Sequence, residues 1–358
     1  RVLGTGGFGI TYLARDTSLG RKVVIKENLP SAFAFRDTAS GTVRSRSDLT
    51  EDEDNFRWSM KNFLREADTL ASLKHPGIVQ VLRKFEANGT AYFVMPFEKG
   101  VAFDQYLKSR QEQGNPLSED ELRGLLEHVL DALDYLHVRG IYHRDIKPGN
   151  ILVTKQGVPI LIDFGSARQR LSERTMTVVE TRGYSPFEQV QSHGKIGPWS
   201  DLYSLGATMA KAITGEVLPN SADRILEDPW ESLAGRKELR ERYSGELLES
   251  IDRTLEPHAS ARFQEVGEWL GALDTGGLEE EIPSQESLRK REMKISCPGC
   301  ATVVKADEEH VGLEGCCLTC GTKFLIPPRE GDEVELAAQK KEEAAEAVIT
   351  KALELVVP

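Results

Sequence analysis

Two short polar motifs constrain this 358-residue chain more than any other feature of its sequence. The first runs from His143 to Asn150 and reads His-Arg-Asp-Ile-Lys-Pro-Gly-Asn, and the second is Asp-Phe-Gly, beginning at Asp163. The pairing combines a candidate proton acceptor, Asp145, with a candidate magnesium ligand, Asp163, because carboxylate oxygens are ligands that magnesium prefers. This combination predicts phosphoryl transfer from a nucleotide.

A glycine-rich segment near the first residue supports this prediction independently. Gly4, Gly6 and Gly9 follow the pattern Gly-x-Gly-x-x-Gly. Glycines allow backbone N–H groups to approach phosphate oxygens closely. Similar glycines occur in dinucleotide-binding folds, but those continue directly into a helix. Here the strand-like run from Ile10 to Ala14 follows, which disfavours the dinucleotide alternative.

Taken in chain order, these motifs resemble those of the eukaryotic-type protein kinases, and the first strands look bacterial in composition. The resemblance covers about three quarters of the chain. It implies an α+β, bilobal fold, with a small antiparallel β-rich N-lobe over residues 1–95 and a mostly helical C-lobe over residues 100–272. Loss of apolar periodicity predicts a linker over 273–294. A zinc-ribbon-like domain over 295–328 and an acidic helical tail over 329–358 are predicted to follow.

Periodicity gives a coarse view of the elements. Apolar residues at helical spacing predict a helix over 55–73 and another over 118–139. Ser118 and Glu121 form a capping-box pattern at the start of the second helix. The polar stretch 30–54 is long for a strand-to-helix connection and is either a surface insertion or a functional flap.

The resemblance implies a set of charged residues around the phosphates of ATP. Lys26 would contact the α- and β-phosphates, and Glu66 from the following helix would hold it. Asn150 and Asp163 would bind Mg²⁺, or Mn²⁺ in its place. Lys26 alone is more readily explained as a solvated charge at the edge of a strand, and Glu66 alone as a surface helix residue. Their occurrence together and in the family's order favours the functional interpretation.

The acceptor side of the predicted site rests on two residues. In the family, the residue at Asp145 orients the acceptor hydroxyl and receives its proton. Lys147 resembles the lysine that meets the γ-phosphate in Ser/Thr kinases, which implies Ser and Thr hydroxyls of protein substrates as acceptors. The alternative is a catalytically weak kinase fold that serves as a scaffold and recruits partners through the zinc ribbon.

The remaining nucleotide contacts surround the adenine. Thr11 stands where the pattern usually has valine and keeps a β-branched side chain over the base. The segment joining the lobes would place Met95 at the back of the adenine pocket. Pro96 lacks an N–H group, but the resemblance implies that only the carbonyl is used there and that the amide donor comes from Glu98.

Regulatory and structural roles follow from the same resemblance. Thr175 and Thr177 are candidate sites of autophosphorylation in the activation loop, although they are equally consistent with exposed loop hydroxyls. Glu188 is expected to pair with Arg262 in a buried ion pair. Asp201 is expected to brace the catalytic segment.

The cysteines predict a separate structural metal. Cys297 and Cys300 form one Cys-x-x-Cys pair, and Cys317 and Cys320 form another. This spacing is typical of a four-thiolate zinc site, in which the metal folds a small module and performs no catalysis. Cys316 is an alternative to Cys317. A redox Cys-x-x-Cys motif is a weaker alternative because the expected βαβ context is missing. The partner of this module is unknown.

Bulk properties bound the remaining partners. The formal charge is −12, and residues from 271 onward hold 10 Lys and Arg against 18 Asp and Glu, a difference of −8. Such an acidic chain disfavours nucleic acid as a partner. No apolar run is long enough to span a bilayer. The clustering of cysteines suits a reducing compartment, so we expect a cytoplasmic location, and the sequence is compatible with an anchor upstream of residue 1.

Overall fold

The computed structural model describes residues 1–47, 50–164, 182–191, 194–274, 292–296, 298–300, 302–307, 314–316, 320 and 322–325. The chain divides into two units, Arg1–Leu278 and Glu279–Pro358. The division lies inside the predicted linker over 273–294, although the last helix of the first unit continues to Asp274.

The N-terminal part of the first unit contains a five-stranded antiparallel sheet. Its strands in chain order are β1 (Val2–Gly6), β2 (Gly9–Asp16), β3 (Arg21–Asn28), β6 (Arg83–Ala87) and β7 (Thr90–Pro96). The spatial order is β1-β2-β3-β7-β6. The β6–β7 turn is Asn88-Gly89, with φ of 49° and 71°. Asn-Gly suits a tight hairpin because both residues tolerate positive φ.

One long helix, α1 (Thr50–Ser72), packs against this sheet. It begins five residues before the predicted start at 55. The acidic first turn favours this earlier start because carboxylates stabilise the positive end of the helix dipole. Phe63 of α1 stacks on Phe93 of β7, with ring centroids 4.7 Å apart. This contact anchors the helix to the sheet.

The stretch between β3 and α1 forms a small hairpin. Its strands are β4 (Ala34–Arg36) and β5 (Val43–Ser45). Ala34 and Val43 are buried with Phe56 of α1 in a small apolar cluster of their own. We call residues 30–47 the insertion hairpin. It packs against α1 and is tied to β3 by the pair of Arg36 with Glu27.

The C-terminal part of the first unit is mainly helical. Its helices are α2 (Phe103–Glu112), α3 (Glu119–His137), α4 (Phe187–Val190), α5 (Pro198–Thr214), α6 (Ser221–Leu226), α7 (Lys237–Arg240), α8 (Gly245–Thr254) and α9 (Val266–Asp274). The predicted capping box of α3 is confirmed, with both reciprocal bonds between Ser118 and Glu121 present. α3 contacts α5 and α9, and their apolar faces build the main core.

A three-stranded sheet joins the two parts. It consists of β8 (Gly100–Ala102), β9 (Ile151–Thr154) and β10 (Pro159–Leu161), in the order β10-β9-β8. A single 3₁₀ turn, Pro148–Asn150, leads into β9. The two polar motifs therefore flank one β-hairpin, since the first ends at β9 and the second follows β10.

The second unit contains two hairpins among its described residues. β11 (Glu292–Ser296) pairs with β12 (Val303–Asp307), and β13 (Glu314–Cys316) pairs with β14 (Lys323–Leu325). The predicted helical tail over 329–358 lies outside the described residues. In the described parts of both units, no helix has the length and apolar character needed to cross a membrane.

Candidate active site

A cavity of about 230 Å³ separates the glycine-rich strands from the second polar motif. Seven of the predicted site residues line it, namely Gly4, Gly6, Gly9, Thr11, Lys26, Glu66 and Asp163. They come from β1, β2, β3, α1 and the segment after β10. Residues scattered over 160 positions therefore meet around one space.

The glycines of the β1–β2 hairpin serve two different needs. A Cβ atom added at Gly4 or Gly6 would have no atom within 4 Å, so the space beside their backbone is open. A Cβ added at Gly9 would lie 2.0 Å from the carbonyl oxygen of Glu27. Gly9 is therefore required by the close approach of β2 to β3, independently of any ligand. The open space at Gly4 and Gly6 fits a phosphate chain approached by backbone N–H groups.

Lys26 is the central cation of the cavity. Its Nζ lies 3.8 Å from Oε1 of Glu66 and contacts Oδ1 of Asp163 directly. It also lies over the ring of Phe93, 5.5 Å from the centroid. Thr11 is the register partner of Lys26 across β2 and β3. The ammonium group is thus fixed between two carboxylates at the wall of the cavity.

Asp145 is held by two neighbours from its own segment. Nζ of Lys147 lies 3.0 Å from both carboxylate oxygens of Asp145. Nδ2 of Asn150 donates to the backbone oxygen and to Oδ2 of Asp145, each at 2.7 Å. Because both acceptors of this amide nitrogen belong to Asp145, the amide oxygen of Asn150 is the atom suited to a cation.

The backbone of this segment is braced from α5. Oδ2 and Oδ1 of Asp201 accept hydrogen bonds from the N–H groups of His143 and Arg144, each at 2.8 Å. Arg144 has φ of 65°, which is costly for a residue other than glycine. Burial would raise the pKa of the Asp201 carboxyl, but hydrogen bonding and charge from His137 outweigh burial and lower it. The predicted bracing position of Asp201 agrees with these contacts.

Asp163 also has an unusual backbone conformation, with φ of 59°. A non-glycine residue persists there only where the surroundings fix it. The adjacent Phe164 is buried and packs its ring on His143, with centroids 4.4 Å apart. Burial lowers the pKa of His143, so its imidazole is neutral and structural. The packing of this neutral ring against Phe164 links the two polar motifs.

Glu188 and Arg262 form the expected ion pair. Nη1 of Arg262 donates to Oε1 of Glu188 at 2.8 Å, and the hydroxyl of Ser200 donates to the same oxygen at 2.8 Å. The Arg262 side chain is fully buried. Burial lowers the pKa of Arg262, although the charge of Glu188 opposes that change. The pair ties α4 to the segment before α9.

Three of the predicted adenine contacts lie at or just after the end of β7. Met95 and Pro96 pair in register with Val24 and Val23 of β3 and are partly buried, whereas Glu98 is exposed. None of these three lines the 230 Å³ cavity. They lie at the junction of the two sheets, because β7 ends at Pro96 and β8 begins at Gly100.

Three polar residues of the cavity lie outside the predicted motifs. Asn28, Ser59 and Asn62 line the cavity, and the Ser59 hydroxyl donates to Oδ1 of Asn28 at 2.9 Å. Two signals point to them. Asn28 follows Lys26 by two strand positions, which places both on one face. Ser59 and Asn62 precede Glu66 by seven and four positions, which places them on its side of the helix.

Several predicted residues lie outside the described part of the chain, namely Thr175, Thr177, Cys297 and Cys317. Among the described residues, no group of three or more His, Cys, Asp and Glu side chains is arranged to hold a metal ion. Asn150 and Asp163, one amide and one carboxylate, would be a smaller set, of the kind that leaves magnesium partly coordinated by water and phosphates.

Comparison with known proteins identifies the family. The family model described as "Protein kinase domain" matches residues 1–264. The chain belongs to the protein kinase domain family. Its bilobal fold, with an antiparallel N-terminal sheet and a helical C-terminal part, is confirmed as the kinase fold.

Two bacterial proteins named as serine/threonine kinases are similar to the chain. The chain is 31% identical over 294 residues to the serine/threonine-protein kinase PknA of Nostoc sp., which covers 77% of this chain and 46% of PknA. It is 32% identical over 222 residues to the probable serine/threonine-protein kinase PknB of Lactococcus lactis, which covers 61% of this chain and 31% of that protein. The chain thus spans less than half the length of these two relatives. The solved structure of PpkA-294 in its apo form has 34% identity and a TM-score of 0.69, covering 76% of this chain and 94% of that structure.

Proposed function

We propose that this protein kinase domain transfers the γ-phosphoryl group of ATP to Ser and Thr hydroxyls of protein substrates. One observation carries the proposal. The ammonium of Lys26 stands between the carboxylates of Glu66 and Asp163, while Lys147 and Asn150 bracket the carboxylate of Asp145. Relatives named as serine/threonine kinases support the choice of acceptor.

On the donor side, Lys26 would neutralise phosphate charge and Glu66 would keep its ammonium in place. The open space beside Gly4 and Gly6 would admit the phosphate chain to backbone N–H groups. Asn150 and Asp163 offer the hard oxygen ligands that suit Mg²⁺, or Mn²⁺ in its place. A bound Mg²⁺ would supply charge neutralisation during transfer. Both oxygens are positioned by the protein itself, through Asp145 and Lys26 respectively.

On the acceptor side, Asp145 would accept a hydrogen bond from the substrate hydroxyl and take up its proton as the new bond forms. The carboxylate is buried, and its rotamer is fixed by Lys147 and Asn150. Lys147 would then place positive charge beside the phosphoryl group that moves. Preorganised charge of this kind stabilises a transition state without reorganisation.

The direct test is transfer from γ-labelled ATP to a generic basic protein. Asp145→Asn keeps the size of the side chain but removes the base, and we expect transfer to fall by about a hundredfold or more. Asp134→Asn, an exposed change on α3, is the control and should retain wild-type transfer. Equal incorporation by wild type and Asp145→Asn would overturn the proposal and favour the scaffold alternative.

Autophosphorylation is proposed at Thr175 and Thr177, which lie outside the described residues. After incubation with ATP and Mg²⁺, mass spectrometry should find phosphate on this segment in the wild type and none in Asp145→Asn. An unmodified segment in enzyme that phosphorylates an added substrate would remove autophosphorylation from the account.

We also propose a structural Zn²⁺ site in the second unit, held by Cys297, Cys300, Cys317 and Cys320. Cys300 and Cys320 occupy equivalent places, since each Sγ lies 3.2 Å from the hydroxyl of the threonine two positions later. A Cβ atom added at Gly299 would lie 2.2 Å from Oγ1 of Thr322, so the turns of the two hairpins approach each other closely. This proximity supports a four-thiolate site.

Metal analysis of the purified chain tests this proposal. We expect about one zinc per chain in the wild type, loss in Cys300→Ser and Cys320→Ser, and retention in Cys316→Ser. Full zinc content in Cys320→Ser would contradict the ligand set.

The restriction of cysteines to the second unit supports a reducing compartment, so we propose a cytoplasmic location. The zinc module would bind a partner still to be identified.

A further inference from the structure

A larger groove, of about 850 Å³, lies in the helical part of the first unit. It is bounded by α2, the Pro148–Asn150 turn, the C-terminal end of α5 and Tyr184. We call it the Lys211 groove. Its charged lining residues are Asp104, Lys108, Arg110, Lys147 and Lys211.

The groove adjoins the catalytic segment. Lys147, Pro148 and Gly149 form part of its wall, and Nζ of Lys147 is 3.0 Å from the carboxylate of Asp145. Gly149 has no side chain to narrow this wall, and a Cβ atom there would only reach van der Waals distance, 3.9 Å, from Asp104. A polypeptide whose hydroxyl reaches Asp145 therefore has this groove beside it for neighbouring side chains.

Two of the groove's cations are already neutralised. Arg110 forms a bidentate pair with Glu121, with both N–O distances at 2.8 Å. Lys147 is paired with Asp145. Each of these two cations is matched by a carboxylate of the protein, so neither adds to the net charge of the groove.

Lys211 differs from both. Its Nζ donates to the backbone oxygen of Gly215, and no carboxylate of the described residues lies within 4.0 Å of it. Lys211 is half-buried at the groove wall. Lys108 is more exposed and lies 4.0 Å from Glu112. Among the described lining residues Asp104 is the one carboxylate, so this part of the groove carries an excess of positive charge.

We propose that the Lys211 groove binds an acidic residue, Asp or Glu, of the substrate polypeptide, and that Lys211 determines this preference. The proposal rests on the kinase activity proposed above. A carboxylate that enters the groove meets an ammonium that has no carboxylate partner among the described residues. A lysine or arginine at the same place would meet repulsion from Lys211, so the groove selects in both directions.

Lys211 also has a structural role, because an ammonium near the last carbonyls stabilises the end of α5. A test must separate this role from substrate selection. The ratio of kcat/KM for two peptides measured on one variant achieves this, because a loss of stability lowers both values together and leaves the ratio unchanged.

The experiment uses the full chain and Ser peptides in which one Gln near the acceptor is replaced by Glu or by Lys, position by position. At the position that reaches the groove, the wild type should prefer Glu over Gln by about twofold to fivefold, the range for an exposed ion pair. Lys211→Met should bring this ratio close to one, Lys211→Arg should restore it, and Lys211→Glu should favour the Lys peptide. Asp104→Asn should increase the preference for Glu.

Lys155→Glu, an exposed change in the β9–β10 turn, is the matched control and should keep the wild-type ratio. Wild-type enzyme that phosphorylates the peptides with equal kcat/KM for Glu and Gln at every position would overturn the inference and leave the kinase proposal intact. An equal change of the Glu-to-Gln ratio of kcat/KM in Lys211→Glu and Lys155→Glu would also overturn the inference and leave the kinase proposal intact. Absence of transfer to any peptide or protein would instead overturn the kinase proposal, and this inference with it.

Discussion

Arg36 of the insertion hairpin pairs with a buried carboxylate of β3, and removing the charge of Arg36 gives a quantitative prediction. The carboxylate of Glu27, on β3 beside Lys26, is almost fully buried. It accepts hydrogen bonds from the hydroxyls of Tyr12 at 2.7 Å and Tyr92 at 2.5 Å, and it pairs with the guanidinium of Arg36. Burial and the bond to Glu27 raise the pKa of Tyr12 to about 12, so this tyrosine stays a donor.

Arg36→Met removes the cation that pairs with Glu27 but keeps an apolar side chain at position 36. Loss of one partner of a buried ion pair costs about 3–5 kcal/mol because the other charge stays buried. Glu27 retains two tyrosine donors, and Arg36 is 32% exposed, so we expect a free energy of unfolding lower by about 3 kcal/mol, the bottom of that range. For a domain of this size, each kcal/mol corresponds to roughly 2–4 °C in Tm, so the unfolding transition should fall by roughly 6–12 °C.

Calorimetric unfolding of the full chain measures this shift. Arg44→Met, in the same hairpin, is the matched control, because Arg44 is 62% exposed and lies 3.9 Å from Asp37. It should leave Tm essentially unchanged. Adding Glu27→Gln to Arg36→Met should recover part of the loss, since the buried group then carries no charge. Equal Tm values for Arg36→Met and Arg44→Met would refute the reasoning.

Three further predictions concern stability. Arg262→Ala should lower the free energy of unfolding by about 3–5 kcal/mol in urea titrations, because it leaves the Glu188 carboxylate buried without its cation; a loss below about 1 kcal/mol would contradict the buried pair. Burial lowers the pKa of His143 from its usual value of 6.5. The contribution of this residue to the free energy of unfolding should therefore be fully present above pH 6.5 and be lost as the pH falls below it, because the unfolded chain binds the proton more readily than the folded one. His143→Gln should flatten this part of the pH profile, and an unchanged profile would exclude His143 as the cause. Gly9→Ala should lower Tm strongly, because its Cβ would meet a backbone carbonyl at 2.0 Å, whereas Gly6→Ala has open space and should not; equal Tm values would contradict this packing.

The catalytic segment was readily predicted because its residues are adjacent in the chain. Asp145, Lys147 and Asn150 lie within six positions, and one turn holds them together. The helix bounds were less predictable. The capping box located the start of α3, whereas α1 begins five residues before its apolar pattern because its first turn is acidic and partly exposed.

Features that depend on tertiary contacts did not follow from the sequence. The strands of the insertion hairpin have three residues each, too few for an alternating pattern, and are tied to β3 by the pair of Arg36 with Glu27. The Lys211 groove also could not be predicted from the sequence, because Asp104 and Lys211 are 107 positions apart and line one groove only in the folded domain. The pair of Glu188 with Arg262 was predicted from the family resemblance, because the positions of the two residues in the sequence do not by themselves indicate that they meet.

The proposed function requires Asp163, held at positive φ beside Lys26, to bind the metal that accompanies ATP. Calorimetric titration of ATP with and without Mg²⁺ tests it most directly, with wild type and Asp163→Asn measured in parallel. The account predicts that Mg²⁺ strengthens nucleotide binding to the wild type much more than to the variant. An identical effect of Mg²⁺ on both proteins would contradict it.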